Sequence, residues 1–185
     1  MATTTALATT LPTDTWVVDP DHTTIEFRVK HVGLARVRGV FHRFDGALAV
    51  GEDGAASLSG TVDAASLDTG VAARDEHLRS ADFFDVDNHA HIAFSATSIE
   101  TLGEEGLRIV GDLTIRGVTR SIELTGEILG TGLDDAGAER LGLELATVLD
   151  RRDFGLTWNQ AIDGGGLLVG NRVDVRLEVS AVRRP

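Results

Sequence analysis

The sequence predicts an all-β fold, an extended eight-stranded antiparallel barrel with short helical insertions at one end. Three observations carry this. Apolar and polar side chains alternate every second residue through most of the chain, the period of strands with one dry and one wet face. Gly is abundant at 21 residues and Pro scarce at 3, while Val, Ile, Thr and Phe collect in short runs, which favours strands over helices. No long helical pattern is available to cover the dry faces, so the sheet is expected to close on itself and leave no open edge.

The strands follow in order. Trp16-Val17-Val18 opens the folded part, and Asp19-Pro20-Asp21 bends the chain before a strand with Ile25, Phe27 and Val29 on its dry face. Val40, Phe44, Leu48 and Val50 come next, then Leu58 and Val62. After one long interruption the pattern resumes with Ile92, Phe94 and Ala96, with Leu107, Ile109, Leu113 and Ile115, and with Ile122, Leu124 and Ile128. Leu141, Leu143, Leu145 and Leu149 form the next strand, and Val173, Val175, Leu177 and Val179 the last. Glu26, Arg28, Arg108, Asp112, Arg116, Glu123, Glu144, Asp174 and Arg176 take alternate positions and are predicted to face water. Strands of about ten residues, at ~3.3 Å each and tilted ~40°, make a barrel on the order of 25 Å tall, whose interior is either just filled by side chains or holds one small ligand.

The interruption spans residues 68–87, DTGVAARDEHLRSADFFDVD. Asp68 or Thr69 is predicted to cap a short helix, Asp75 to pair with Arg79 four residues later, and Val71 and Leu78 to share its inner face. Phe83 and Phe84 follow in a second turn. A connection this long and this aromatic reads as a lid or binding loop rather than disorder. Alternate connections of an up-and-down barrel emerge at the same end. Residues 31–36, 65–90, 117–118 and 150–170 therefore share one end, with every long or aromatic connection, and that end is predicted to be the mouth. The opposite end receives the short acidic turns 51–56, 102–106 and 130–139.

A chain of 185 residues with 42% hydrophobic content suits a single domain, assigned to residues 15–183, behind a disordered N-terminal tail at 1–14. The net charge of −12 excludes general nucleic-acid binding, which needs Lys and Arg against phosphate, and Lys30 is the only lysine. Without cysteine there is no disulfide framework, thiolate chemistry or Cys-based zinc site. The first residues show neither a basic n-region nor an apolar h-region, and no run approaches a membrane span, so the protein is expected to be cytoplasmic.

Five stretches in order resemble one known family: WVVDPDHTTIEFRVKHVG at 16–33, VRGVFHRFDGAL at 37–48, DTGVAARDEHLRSADFFDV at 68–86, GDLTIRGVTRSIEL at 111–124 and RRDFGLTWN at 151–159. They look like the successive motifs of the YceI-like polyisoprenoid-binding family, and the likeness runs from about residue 16 to 182. Thr23 stands where the family often has Ser, which keeps the hydroxyl, and Ala90 where it often has Pro. The resemblance implies a lipocalin-like barrel, without cofactor or catalytic residues, that holds a polyprenyl chain or isoprenoid quinone for carriage, storage or sensing. On that implication Phe27, Val29, Phe44, Phe94, Leu113, Leu124, Leu145 and Val175 face the ligand, with Leu78, Phe83, Phe84, Phe154 and Trp158 closing the mouth. Arg74, Arg79, Arg151 or His31 would meet an anionic head group. At about −0.3 kcal/mol per heavy atom, a tail of about forty carbons supplies on the order of −12 kcal/mol, so the tail dominates affinity. Ala96→Trp is expected to fill the lumen.

Other readings compete. A packed structural barrel could dimerise through an outer stripe of Val110, Leu129 and Val148. Arg74-Asp75-Glu76-His77 offers acids and a base for a lipid-phosphate or glycoside hydrolase, but no nucleophile elbow, phosphate loop or HExxH motif accompanies it. His89 and His91, near Asp85 and Asp87, lack a metal-ligand spacing motif and read as solvated histidines, so no metal is assigned. Gly164-Gly165-Gly166 lacks the strand-turn-helix context of a phosphate cradle and reads as a turn.

Overall fold

The computed structural model describes residues 13–162 and 165–184. Most of the predicted tail and Gly164 of the glycine turn lie outside these residues. The fold is a closed antiparallel barrel of eight staves, three of them broken into two strand segments. Strands β1 (Asp14–Val18) and β2 (Thr24–His31) form one bent stave; β3 (Ala35–Phe41) and β4 (Phe44–Val50) form the second; β5 (Ala56–Asp63) and the short β6 (Leu67–Asp68) form the third. Helix α1 (Ala72–Arg79) follows, and then β7 (His91–Leu102), β8 (Gly106–Ile115), β9 (Val118–Leu133), β10 (Glu139–Asp150) and β11 (Val169–Arg184) run up and down in turn. The ring closes because β11 pairs β2 along its first half and β1 at its end, Ala181 lying opposite Val18 and Arg184 opposite Thr15.

Each break has a local cause. Between β1 and β2 Pro20 starts a 3-10 turn, where its fixed φ and missing N–H cost nothing. Thr23 repairs the interrupted ladder: its hydroxyl accepts from the Ser180 N–H at 3.0 Å and donates to the Ser180 carbonyl at 3.2 Å. Asp19 fixes the bend, accepting from the Asp21 N–H and from His22 Nδ1 and Arg140 Nη1. The Arg140 guanidinium, with His22, holds the Asp19 carboxyl at about 2 against a usual 3.8. A depressed carboxylate pKa contributes stability that is complete above the usual value and lost as pH falls through the folded one. Thermal melts should therefore lose about 1–2 kcal/mol between roughly pH 4 and 2 through this group, less than the full shift because solvent still reaches the pair. Asp19→Asn should be less stable at pH 7 and show a shallower acid limb. It will not flatten it, because Arg152 holds Asp150 at about 2 in the same window.

The break at His42 and Arg43 shifts the alternation by one residue. Phe41 and Phe44 both face inward, and Val40, predicted to be on the dry face, pairs instead with the outward Glu26. Glu26 itself is not solvated as predicted. It is 7% exposed and accepts from both Arg28 and Arg38. Burial raises its pKa, but these two guanidinium groups outweigh burial and leave it lowered.

The interior is filled unevenly. At the end with the acidic turns, Trp16, Leu141, Ile109, Leu107, Val50 and Ile99 pack into a dry plug, with Trp16 and Leu141 at 0% exposure. Toward the other end the plug gives way to open space, and a second cluster of Phe83, Phe154, Leu156 and Leu113 lines the rim. The proposed outer stripe does not exist as a stripe. Leu129 lies beside Gly142, far along β10 from Val148.

Candidate functional site

The open space is a cavity of about 570 Å³, within the range of small-molecule sites. Its walls are inward side chains of the staves: Phe27 and Val29 of β2, Phe44 of β4, Phe94 of β7, Leu113 of β8, Leu124 of β9, Leu145 of β10 and Val175 of β11. Two of these rings lie over glycines that make room for them. A Cβ at Gly39 would stand 2.2 Å from Phe27 Cζ, and one at Gly111 would stand 2.4 Å from Phe94 Cζ. Phe41, Ile25, Val37, Ile92, Ile122 and Leu149 are also part of the wall. Ala96 is not part of it. It packs on the plug, so Ala96→Trp would disturb the closed end rather than fill the lumen.

The mouth is built by residues 64–90 and, from a second connection, by 151–162 and 165–168, and all five aromatic and aliphatic candidates, Leu78, Phe83, Phe84, Phe154 and Trp158, line the cavity. Phe84 stands edge-on to Phe41 at 6.0 Å, and Phe41 meets Phe27 at 5.5 Å, so one aromatic line runs from the rim down the wall. Opposite it, His77 stands edge-on to Phe83 at 5.1 Å and to Trp158 at 4.6 Å, with its Nε2 2.9 Å from Asp82 Oδ2. His77, which the sequence offers only as the base of the hydrolase reading, belongs to the cavity lining. Its place against Trp158 of the other mouth connection leaves no local signal.

Helix α1 forms differently from the prediction. Val71 is its N-cap and offers no side-chain bond. Asp75, 6% exposed, reaches back from inside the helix and accepts from the Thr69 N–H at 3.0 Å and the Thr69 hydroxyl at 2.5 Å. It therefore does not pair with Arg79, whose guanidinium donates to the Ala65 and Leu67 carbonyls at 2.9 and 2.7 Å. Val71, predicted for the inner face, is half exposed.

Of the four cationic head-group candidates, the structure brings three to the cavity and commits most of them elsewhere. Arg79 is not part of the lining and clamps the two carbonyls named above. Arg151 lines the rim but is 5% exposed, and it donates to the Gly170, Leu156 and Trp158 carbonyls at 2.9, 2.5 and 2.9 Å. Burial lowers its pKa, with nearby Asp150 acting against this. Arg74 donates to the Thr69 hydroxyl and carbonyl while lining the cavity, and His31 lines it at the end of β2, on the inward side shared with Phe27 and Val29. The site can thus take up an apolar body along its length and a polar end at its rim.

His89 lies against Gly117, 4.0 Å from the Asp85 carboxylate, and His91 begins β7. Among the described residues no group of three or more His, Asp or Glu is placed to hold a metal ion, and no helix is long and apolar enough to cross a membrane.

Comparison with known proteins gives a consistent picture. A family model described as YceI-like domain matches residues 16–181. A UPF0312 protein of Ectopseudomonas mendocina is 38% identical over 138 residues, 74% of this chain and 72% of that protein. Among solved structures, a Campylobacter jejuni YCEI protein superposes with a TM-score of 0.72 at 27% identity, covering 84% of this chain and 90% of that one. A polyisoprenoid binding domain from Saccharophagus degradans superposes with a TM-score of 0.69 at 12% identity, covering 94% and 100% respectively, a likeness of fold.

Proposed function

Because this chain belongs to the YceI-like family, we propose that it is a non-catalytic binding protein that holds a polyisoprenoid lipid, a polyprenyl chain or an isoprenoid quinone, in its lumen. The observation that carries this reading is the apolar space itself: a cavity of about 570 Å³ above the Trp16 plug, lined almost wholly by aliphatic and aromatic side chains. A branched hydrocarbon tail gains affinity from such a surface through area alone, roughly 0.8 kcal/mol per buried methylene before ordering costs. The thirteen apolar residues placed on the wall and rim are the proposed contacts of the tail, with Arg74 and His31 nearest to hand for the head group.

A barrel packed solid would have no use for a plug at only one end. Two residues of the enzyme reading are spent elsewhere, the Asp75 carboxylate and the Arg74 guanidinium both serving Thr69, while its base, His77, packs against Phe83 and Trp158 with Asp82 at its Nε2. Native mass spectrometry of the purified protein, followed by organic extraction, tests the proposal. A stoichiometric, chemically unchanged isoprenoid is expected. An empty protein that also refuses added polyprenyl lipids would overturn it, and turnover of a bound prenyl diphosphate would overturn the non-catalytic part.

A further inference from the structure

We propose that the β2–β3 hairpin is a membrane-docking foot, seating the mouth of the barrel on a bilayer that contains anionic phospholipid. The chain carries a net charge of −12, yet residues 27–44 hold five of its 17 Lys and Arg, two of its six His, and no Asp or Glu. Part of this charge is neutralised within the fold. Arg28 and Arg38 share Glu26 at the base of the hairpin, and Arg43 pairs with Asp63. Nearer the tip, Lys30 and Arg36 stand directly opposite each other in the ladder, both exposed, and among the described residues neither has a carboxylate partner. Like charges facing across a strand pair destabilise it, so this arrangement serves no folding purpose.

The tip is equally unusual. Val32 at φ 51° and Gly33 at φ 71° are the central residues of a tight turn in the three-residue loop 32–34, closed by the Leu34 N–H on the His31 carbonyl at 3.1 Å. A β-branched residue seldom adopts the left-handed region, and here it does so to present Leu34 at 90% exposure. A second apolar tip stands beside the first. The Val32 N–H donates to the Leu168 carbonyl at 2.9 Å, tying the hairpin to the other mouth loop, where Leu167 is 50% exposed. Leu168, Lys30 and His31 belong to the cavity lining, so these tips stand beside its opening. Apolar tips that enter the acyl boundary, backed by cations at head-group depth, are the elements of an interfacial anchor. Charge complementarity selects an anionic bilayer as the occupant, and continuity with the lumen gives the docking a purpose. The passage of a prenyl lipid between bilayer and lumen rests on the function proposed above; the docking itself does not.

Flotation of the full chain with mixed phosphatidylcholine–phosphatidylglycerol vesicles, against pure phosphatidylcholine vesicles, tests this. Wild type should float with the anionic vesicles, and added salt should release it. Leu34→Asp should abolish flotation. Lys30→Glu creates an opposite-charge pair with Arg36 across the ladder, so it should fold at least as stably as wild type while its vesicle affinity falls on the order of tenfold. Flotation no better with anionic than with neutral vesicles, or Lys30→Glu floating like wild type, would overturn the proposal. A Thr147→Trp variant, with its lumen filled, should float as wild type does. If the wild-type protein floats but carries and accepts no isoprenoid, the lumen reading fails and the docking surface stands.

Discussion

Tryptophan at Thr147 or at Val175 should leave the barrel folded and weaken the proposed lipid binding sharply. The two residues face each other in the β10–β11 register, and both line the cavity above the point where Leu145 joins the plug. Overpacking a filled core costs about 1–3 kcal/mol because neighbours must move. Here the ring enters space that no side chain occupies, so the melting temperature should shift by only a few degrees. A prenyl lipid held there as proposed would lose part of its track. Three or four methylenes kept out of the lumen, at about 0.8 kcal/mol each, weaken binding on the order of 100-fold. Titration with a fluorescent prenyl lipid beside a thermal melt reads both quantities, and retained affinity in both variants would exclude the lumen as the site. Ala96→Trp provides the contrast: its ring meets the plug, so stability should fall instead.

Arg151→Met is expected to be the most destabilising single change at the mouth. Besides the three carbonyls already named, Arg151 Nη2 reaches the Asn171 side-chain oxygen at 3.3 Å and the Val169 carbonyl at 3.4 Å. One guanidinium therefore ties the 3-10 turn Arg151–Phe154 to the segment carrying Leu156 and Trp158 and to the start of β11. Truncation leaves several buried acceptors without donors, at about 1–3 kcal/mol each, so a loss on the order of 3–5 kcal/mol and a fall in melting temperature of roughly 10 °C are expected. Arg151→Lys should recover only a part, because an ammonium lacks the planar fork that serves several carbonyls at once. Since Leu156 and Trp158 line the cavity, lipid binding should weaken in parallel. An unaltered melt would show that these hydrogen bonds contribute nothing net.

Period-two alternation is a direct readout of which side of a strand meets water, and so the barrel, its closure and its two ends are legible from residues such as Ile25, Phe27 and Val29. What alternation does not carry is depth. Leu107 and Leu113 have the same parity on β8, yet one is buried in the plug and the other borders the cavity, because the distinction depends on Trp16 arriving from a distant strand. Parity also fails where a stave breaks, and the irregular pair His42-Arg43 hides Phe41 for that reason. The partners of charged residues are illegible for a third reason. A sequence shows a guanidinium but not its acceptors, and Arg79 and Arg151 find backbone carbonyls that nothing in their own neighbourhood announces. Asp75 and Arg79 stand at ideal spacing for a pair and still prefer Thr69 and two carbonyls, since burial makes those partners the more urgent ones.

The plug under the cavity turns the barrel into a ruler. In a tube open at both ends a long chain can thread through, and its length is immaterial. A tube stopped by Trp16 and Leu141 admits a chain only until its tip touches bottom. On the proposed function, each isoprene unit up to that depth would slow escape by a further factor, since it must be drawn back out through the same rim, and units beyond it would stay outside and add nothing. For a series of prenyl lipids with one head group, the dissociation rate would fall step by step with chain length and then level off, and the length at the corner would report the depth of the lumen.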